Sequence, residues 1–275
     1  MVVENPTFSI ADAAKHFNKS SKKIDVTLRK YKYHPYKILP VQQLSDNQKV
    51  RREVFCRQMF ELKLNDNDLF KKILWSDEAS FNTAGLFNRK NSHIWASLNP
   101  HGHREIQFQG RRSISVWCGI LNDKVIGPIF YEGSLSGERY LHFLENDIEN
   151  LLDYLPLRQY NELIWQQDGA PPHNVVPVRN FLNNRYPLWI GKNGGIEWPA
   201  NSPDLTPLDS FLWGYLKDEV YKERSRTLED LNIKITNAIN TLNQEKSHFI
   251  VNSIDKLNDD YRKCINNNGG HIEHL

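Results

Sequence analysis

Ile73-Leu-Trp-Ser-Asp77 and Leu163-Ile-Trp-Gln-Gln-Asp168 are two short apolar runs that each end in an aspartate. Continuous apolar runs of this length are typical of strands that are buried on both faces of a sheet. In open α/β sheets, ligands bind in the crevice beyond the ends of such strands. The two runs therefore predict neighbouring strands whose aspartates lie within the distance that a pair of metal ions would span.

The chain between and after these runs alternates between apolar strands and amphipathic helices. Predicted strands cover residues 113–121 and 125–131, with short ones at Trp189-Ile190 and Gly195-Ile196, and predicted helices cover residues 136–155, 174–184, 206–220, 228–242 and 250–261. Strands followed by helices that alternate with single strands predict an α/β fold, a mixed sheet flanked by helices.

The N-terminal residues follow a different pattern. Ser9-Ile-Ala-Asp12 has the form of a capping box, and Ser21 can cap a second helix after a short break. The second helix carries cations on its polar face, namely Lys22, Lys23, Arg29 and Lys30, and Lys37 follows in a proline-containing stretch. This arrangement predicts a small all-α helix-turn-helix segment whose cations contact DNA phosphates.

Composition limits the class of protein. The chain has 275 residues, of which 39% are hydrophobic and 25% are charged, so collagen-like and wholly disordered proteins are excluded. No apolar run approaches the roughly 20 residues that span a bilayer, and the first residues do not resemble a signal peptide. Three widely spaced cysteines without a C-x-x-C pair predict a reducing compartment and no zinc site.

Charge is unevenly distributed along the chain. Residues 1–76 carry 15 Lys and Arg against 8 Asp and Glu, whereas residues 77–275 carry 20 against 25. A basic N-terminal segment ahead of a mildly acidic body favours a polyanion-binding module joined to a second domain, although a solvated basic face without a partner would look the same.

A third aspartate extends the acidic pair. Asp209 lies in Thr206-Pro-Leu-Asp209, a sequence that fits the N-cap and first turn of a helix. Three carboxylates on rigid elements could hold two hard divalent cations such as Mg²⁺. Each acid also has a structural interpretation, because Asp favours turns and helix N-termini.

Four blocks of sequence carry a family resemblance. They are Trp75-Ser-Asp-Glu-Ala-Ser-Phe81, Val116-Trp-Cys-Gly-Ile120, Asp168-Gly-Ala-Pro-Pro-His173 and Ser202-Pro-Asp-Leu-Thr-Pro-Leu-Asp209. Their order and approximate spacing resemble the mariner superfamily of DNA transposases, and the resemblance runs from about Pro6 to about Ala238. Within the last block, Asp204 is expected to shape the loop.

The resemblance implies a ribonuclease H-like catalytic domain over residues 71–243, with Asp77, Asp168 and Asp209 as catalytic residues and metal ligands. It further implies a partial helix-turn-helix over residues 1–33, a linker and helical connector over 34–70, and a C-terminal helix and tail over 244–275. The implied cofactor is Mg²⁺ or Mn²⁺, as two ions. The implied partners are double-stranded DNA, as transposon ends and target, and a second copy of the chain. The implied location is the nucleus, and no membrane is expected as a partner.

Two departures from the family pattern are visible. The gap between Asp168 and Asp209 is a few residues longer than in most relatives, through the segment Trp189–Gly195. The chain also begins inside the region that resembles the second helix-turn-helix, so the first such domain is expected to be absent.

The resemblance leaves alternative functions and roles open. A transposon-derived DNA-binding protein could retain the acids as structural residues, and a metal-dependent nuclease would cut DNA without joining it. His173 could contact a phosphate or cap the helix that follows it. Because crowded carboxylates repel one another, Asp168→Asn is expected to leave the stability of the metal-free protein equal or higher.

Overall fold

A computed structural model describes residues 10–33, 42–83, 112–223 and 225–272. The chain divides into two compact units, Met1–Gln42 and Gln43–Leu275. The division falls within the linker and connector expected for residues 34–70. The segments expected at 71–243 and 244–275 belong together to the second unit. Lys37 lies outside the described residues.

The first unit contains two short helices, α1 (Ile10–His16) and α2 (Ser21–Lys30). Ser20 rather than Ser21 caps α2, because its side chain accepts a hydrogen bond from the Lys23 backbone N–H. Every residue of α2 keeps some solvent exposure. The basic side chains of this helix are therefore available to solvent, as the helix-turn-helix prediction requires.

The second unit is built on a sheet with the strand order β3-β2-β1-β4-β5-β6. Its strands are β1 (Ile73–Asn82), β2 (Ser113–Leu121), β3 (Lys124–Tyr131), β4 (Ile164–Gln166), β5 (Trp189–Gly191) and β6 (Ile196–Glu197). The first three pair antiparallel, whereas β4, β5 and β6 pair parallel to β1 and to one another. This is the mixed α/β sheet that the strand pattern predicts.

Helices cover both faces of the sheet. They are α3 (Asp46–Asn65), α4 (Leu69–Lys72), α5 (Gly137–His142), α6 (Glu149–Leu152), α7 (Leu157–Asn161), α8 (Val176–Arg185), α9 (Trp213–Val220), α10 (Leu228–Glu245) and α11 (Ser247–Asn266). Successive residues of β1 point to opposite faces, so Ile73 and Trp75 join one apolar core and Leu74 joins the other. None of the described helices is long and apolar enough to span a bilayer.

Two sequence predictions are wrong in detail. The strand predicted to end at Asp77 continues to Asn82, because antiparallel pairing with β2 supports it as far as the pair Asn82 and Ser113. The single helix predicted over residues 136–155 is interrupted by a π-helical turn at Phe143–Ile148 between α5 and α6.

A buried ion pair joins α3 to the loop before α9. Both terminal nitrogens of the Arg52 guanidinium donate to the Asp204 carboxylate at 2.6 Å, and neither side chain is appreciably exposed. Arg52 Nε also donates to the Gly269 carbonyl at 2.8 Å, and the Ile272 N–H donates to Asp204 Oδ2 at 3.3 Å. Asp204 therefore shapes its loop, as expected from the sequence, by holding three distant segments together.

We expect Arg52→Met to lower the free energy of unfolding by about 3–5 kcal/mol, because it leaves the Asp204 carboxylate buried without its cation. Chemical denaturation measures the change. Arg51→Met is the matched control: Arg51 forms an exposed pair with Glu197, and its loss should change stability by under about 1 kcal/mol. The double variant Arg52→Met/Asp204→Leu should recover part of the loss, and equal effects at positions 51 and 52 would contradict the importance of the buried pair.

Candidate active site

The aspartates at positions 77 and 168 lie where two parallel strands separate. Pairing between β1 and β4 stops at Trp75 and Gln166, and both aspartates follow two residues later. Beyond this point the Gln166 side chain takes the place of a backbone hydrogen-bond partner for β1, because its Oε1 accepts the Ser76 N–H at 3.0 Å. Asp77 therefore lies on β1 and Asp168 lies two residues beyond β4, and the predicted pairing of these two strands is confirmed.

The side chain of Asp77 is oriented by a hydrogen bond from a tryptophan indole. Trp213 Nε1, at the start of α9, donates to Asp77 Oδ2 at 2.7 Å. Burial, together with the charges of Asp209 and Glu78, raises the pKa of Asp77 to about 8. In the absence of a cation, the folded protein therefore favours the protonated form of this carboxyl at neutral pH.

Asp209 lies on a π-helical turn, Leu208–Leu212, that leads into α9. Burial and the charge of Asp168 raise the pKa of Asp209 to about 6, although Lys217 opposes the shift. Thr206 Oγ1 accepts the Leu208 N–H at 3.3 Å. The helix expected to open at Thr206 thus begins two residues later, and Asp209 is its second residue.

Asp168 has the opposite electrostatic environment, because it contacts a buried cation. His173 Nδ1 lies 2.7 Å from Asp168 Oδ1, which also accepts the Ala170 N–H at 2.9 Å. Burial favours the neutral acid, but these hydrogen bonds and the charge of His173 lower the pKa of Asp168 overall. Oδ1 of Asp168 is thereby occupied by hydrogen bonds within the protein.

His173 bridges two carboxylates. Its Nε2 lies 3.4 Å from Glu78 Oε1, and the Tyr140 ring covers it with 4.2 Å between centroids. Burial lowers the pKa of His173, but the two carboxylates outweigh burial and raise it to about 10. Because both ring nitrogens lie against carboxylates and the residue is buried, this environment favours a positioning role over the predicted phosphate contact.

The sequence did not single out Glu78 or Trp213 as site residues, although both contribute to this centre. Glu78 directly follows Asp77, so it belongs to the other face of β1 and reaches His173 there. Trp213 resembles any apolar residue of an amphipathic helix. Only the hydrogen bond from its indole nitrogen distinguishes it.

The site residues assigned from the sequence fall into two groups. The structure connects Asp77, Asp168, Asp209 and His173 through hydrogen bonds and mutual charge effects. The cations Lys22, Lys23, Arg29 and Lys30 belong to α2 in the first unit, where Arg29 pairs with Asp25 at 2.9 Å. Their contact with DNA stays a prediction.

The acidic residues have the donor chemistry that divalent metals require. Carboxylate oxygens suit Mg²⁺ and Mn²⁺, and the raised pKa values of Asp77 and Asp209 indicate that the metal-free protein disfavours the charged form of both groups. Within the described ranges, no three His, Cys, Asp or Glu side chains stand close enough to form a ready-made metal site. The residues therefore fit a metal by their chemistry, and binding would have to draw the carboxylates together.

Neutralising Asp77 and Asp168 should change the stability of the metal-free protein in opposite directions at about pH 8. Asp77→Asn removes a charge that the fold disfavours and keeps an oxygen for Trp213, so we expect a gain of about 1–3 kcal/mol. Asp168→Asn removes one of the two carboxylate partners of a buried imidazolium, so we expect a loss, which is smaller than the gain because the Asp168 side chain is half exposed and screened by solvent. The expectation of equal or higher stability for Asp168→Asn is thus revised, because His173 lowers rather than raises the pKa of this acid.

The pH dependence of these changes follows from the direction of each shift. The pKa of Asp77 is raised in the folded state, so the gain from Asp77→Asn should be small below pH 4 and grow as pH rises to about 8. The pKa of Asp168 is lowered, so the loss from Asp168→Asn should shrink as pH falls below 4. Thermal unfolding in a chelating buffer measures both, and shifts of the same sign at pH 8 would contradict these assignments.

The chain is similar to several transposases in sequence, although no protein-family model matches it. It is 25% identical over 223 residues to the Tc3 transposase of Caenorhabditis elegans, across 80% of this chain and 62% of that protein. It is 30% identical over 155 residues to the Tcb1 transposase of Caenorhabditis briggsae, across 52% of this chain and 50% of that protein. The chain thus spans less than two thirds of the length of these curated relatives.

Solved structures of Mos1 transposase share the fold. The Mos1 paired-end complex with the left transposon end matches with a TM-score of 0.80 at 19% identity, over 99% of this chain and 77% of that chain. The catalytic domain of Mos1 mariner transposase matches with a TM-score of 0.65 at 20% identity, over 86% of this chain and 100% of that chain. The fold of this domain is the ribonuclease H-like fold expected from the sequence. By sequence the chain is therefore similar to the Tc3 and Tcb1 transposases, and by fold it is similar to Mos1 transposase.

Proposed function

We propose that this protein is a cut-and-paste DNA transposase of the class that uses an aspartate triad, and that Asp77, Asp168 and Asp209 are its catalytic residues. The observation that carries the proposal is the electrostatic coupling of the three acids at the point where β1 and β4 separate. Repelling carboxylates in one crevice destabilise a fold, and cation-dependent chemistry accounts for their presence there.

The proposed reaction is phosphodiester cleavage followed by strand transfer. In cleavage, a water oxygen forms a bond to phosphorus while the bond to the 3′ oxygen breaks, which leaves a 3′-hydroxyl. In strand transfer, that hydroxyl forms the new bond to a target phosphorus and displaces the 3′ oxygen of the target strand. Two divalent metal ions, when bound, would activate the attacking oxygen and stabilise the departing one.

The residues of this chain would orient the metal ligands. Trp213 fixes Asp77 through one carboxylate oxygen, and His173 with the Ala170 N–H fixes Asp168 through Oδ1. Asp209 would complete the set from the start of its helix. Mg²⁺ or Mn²⁺ is the proposed cofactor, as two ions, and Mos1 structures exist with Mn and with Mg.

The proposed partners are the DNA ends of a transposon, a target duplex and a second copy of the chain, acting in the nucleus. The similarity to a Mos1 paired-end complex and to a Mos1 strand transfer complex supports DNA as substrate and a dimeric assembly. A nuclease that does not join strands and a DNA-binding protein without catalysis are the competing outcomes of the experiment below.

Purified protein with labelled duplex DNA and Mg²⁺ or Mn²⁺ should produce cleaved strands and, with target DNA, joined products. Asp77→Asn and Asp168→Asn should each reduce cleavage by about 10³-fold or more, because several kcal/mol of transition-state stabilisation by metal would be lost. Asp209→Asn should do the same with near-normal stability. Cleavage without joining would indicate a nuclease, and binding without cleavage would indicate a non-catalytic protein.

The first unit should contribute salt-dependent DNA binding with little sequence preference, because its exposed cations contact phosphates rather than bases. We expect dissociation constants of roughly 10⁻⁴ to 10⁻⁶ M at physiological salt. Anisotropy titrations should compare the full chain with a shortened chain that begins at Gln43, where the second unit starts. Equal affinities, or a strong preference of the full chain for one sequence, would contradict this assignment.

A further inference from the structure

Lys192 occupies a position across the sheet that is equivalent to those of Asp77 and Asp168. The residues Trp75, Gln166 and Ile190 are aligned across β1, β4 and β5. Two residues further along each parallel strand, the same register leads to Asp77, Asp168 and Lys192. The carboxyl ends of parallel strands meet at one edge of a sheet, so Lys192 follows β5 at the edge where the acids lie.

The aliphatic part of Lys192 lies against the residue that follows Asp168. A Cβ atom built at Gly169 would be 3.7 Å from both Cβ and Cδ of Lys192. This is ordinary van der Waals contact, so the lysine stem crosses the Gly169 backbone at close range. The ammonium group is thereby kept within one side-chain length of Asp168.

The turn that carries Lys192 is fixed at several points. Asn193 Nδ2 donates to Asn174 Oδ1 at 2.9 Å, which ties the turn to the segment after Asp168. The Gly194 N–H donates to the Gly191 carbonyl at 3.0 Å, and any side chain at position 194 would collide with the Trp189 backbone. The position of Lys192 is therefore set by an ordered turn rather than by a loose loop.

The ammonium group of Lys192 is available to a ligand. The residue is exposed, and the structure shows no ion pair for it among residues 10–33, 42–83, 112–223 and 225–272. The other cation beside Asp168 is His173, which is buried between two carboxylates. A phosphodiester that approaches this acidic edge thus meets Lys192 as an exposed positive group.

We propose that Lys192 binds a DNA phosphate next to the one that is cleaved, and so positions the strand over Asp168. This inference rests on the proposed function. It assigns a role to the segment Trp189–Gly195, which the family resemblance leads us to expect to be longer than in most relatives. Lys192 is a positioning residue here, because it acts on the neighbouring phosphate rather than on the reacting atoms.

The experiment measures duplex binding by the full chain at several salt concentrations, in chelating buffer and for four proteins. They are the unaltered chain, Lys192→Gln, Lys192→Arg and the control Lys124→Gln. Lys124 is the first residue of β3, which is the outermost strand on the side of the sheet away from β5. Its variant therefore removes the same charge at a position remote from the acids. We expect Lys192→Gln to make the plot of log affinity against log salt shallower by about 1, whereas Lys192→Arg and Lys124→Gln keep the original slope.

A second measurement separates positioning from folding. Cleavage by Lys192→Gln should show a higher KM for DNA with kcat retained, and thermal unfolding should be unchanged because the side chain is exposed. Equal slopes for Lys192→Gln and Lys124→Gln, with cleavage intact in the unaltered chain, would overturn this inference alone. A chain that neither binds nor cleaves DNA would overturn the proposed function and this inference together.

Discussion

The parallel pairing of β1 with β4 stops after three residue pairs, and the arrangement of the second unit around its acidic edge depends on that early end. If the pairing continued, the backbones of Ser76 and Gln167 would hydrogen-bond to each other and leave no crevice between the two strands. Instead the Gln166 side chain satisfies the Ser76 N–H, while the Gln167 N–H donates to the Ile190 carbonyl of β5. The sheet thus opens a crevice without leaving these two backbone donors unpaired.

Two kinds of electrostatic compensation meet in this crevice. Asp168 is stabilised as an anion by His173, which is itself held by Glu78. Burial and the charges of Asp209 and Glu78 raise the pKa of Asp77, while for Asp209 desolvation and the charge of Asp168 outweigh the opposing charge of Lys217. The protein therefore stabilises the charged form of Asp168 and disfavours the charged forms of Asp77 and Asp209. This asymmetry limits the charge repulsion within the acidic crevice.

Sequence patterns predicted the elements whose signal is local. Ser113–Leu121 has the same bounds as β2, because its apolar pattern and the turn that follows it define a hairpin. The extension of β1 to Asn82 was missed, because its pairing partner lies far along the chain. The bridge from Asp168 through His173 to Glu78 was missed for the same reason. Arg52 and Asp204, 152 residues apart, are ordinary charged residues until the fold brings them together. Pairings over such distances depend on the tertiary structure and leave no periodic signal in the sequence.

The Arg52 and Asp204 pair links residues 269–272 to the loop that leads to Asp209 in the acidic crevice. Gly269 has a φ of 74° and fits against the Lys49 carbonyl, where any side chain would collide. From there the chain covers the ion pair, and Ile272 completes the bonding of Asp204. During synthesis, Arg52 and Asp204 cannot complete these hydrogen bonds until residues 269–272 have been made, so the loop that leads to Asp209 depends on a segment that lies later in the chain. A premature stop codon before Gly269 would leave Asp77, Asp168 and Asp209 in the reading frame, yet it would remove the Gly269 and Gly270 carbonyls that accept hydrogen bonds from Arg52. Proteolysis would then remove the product of such a shortened reading frame even though its three acids are intact.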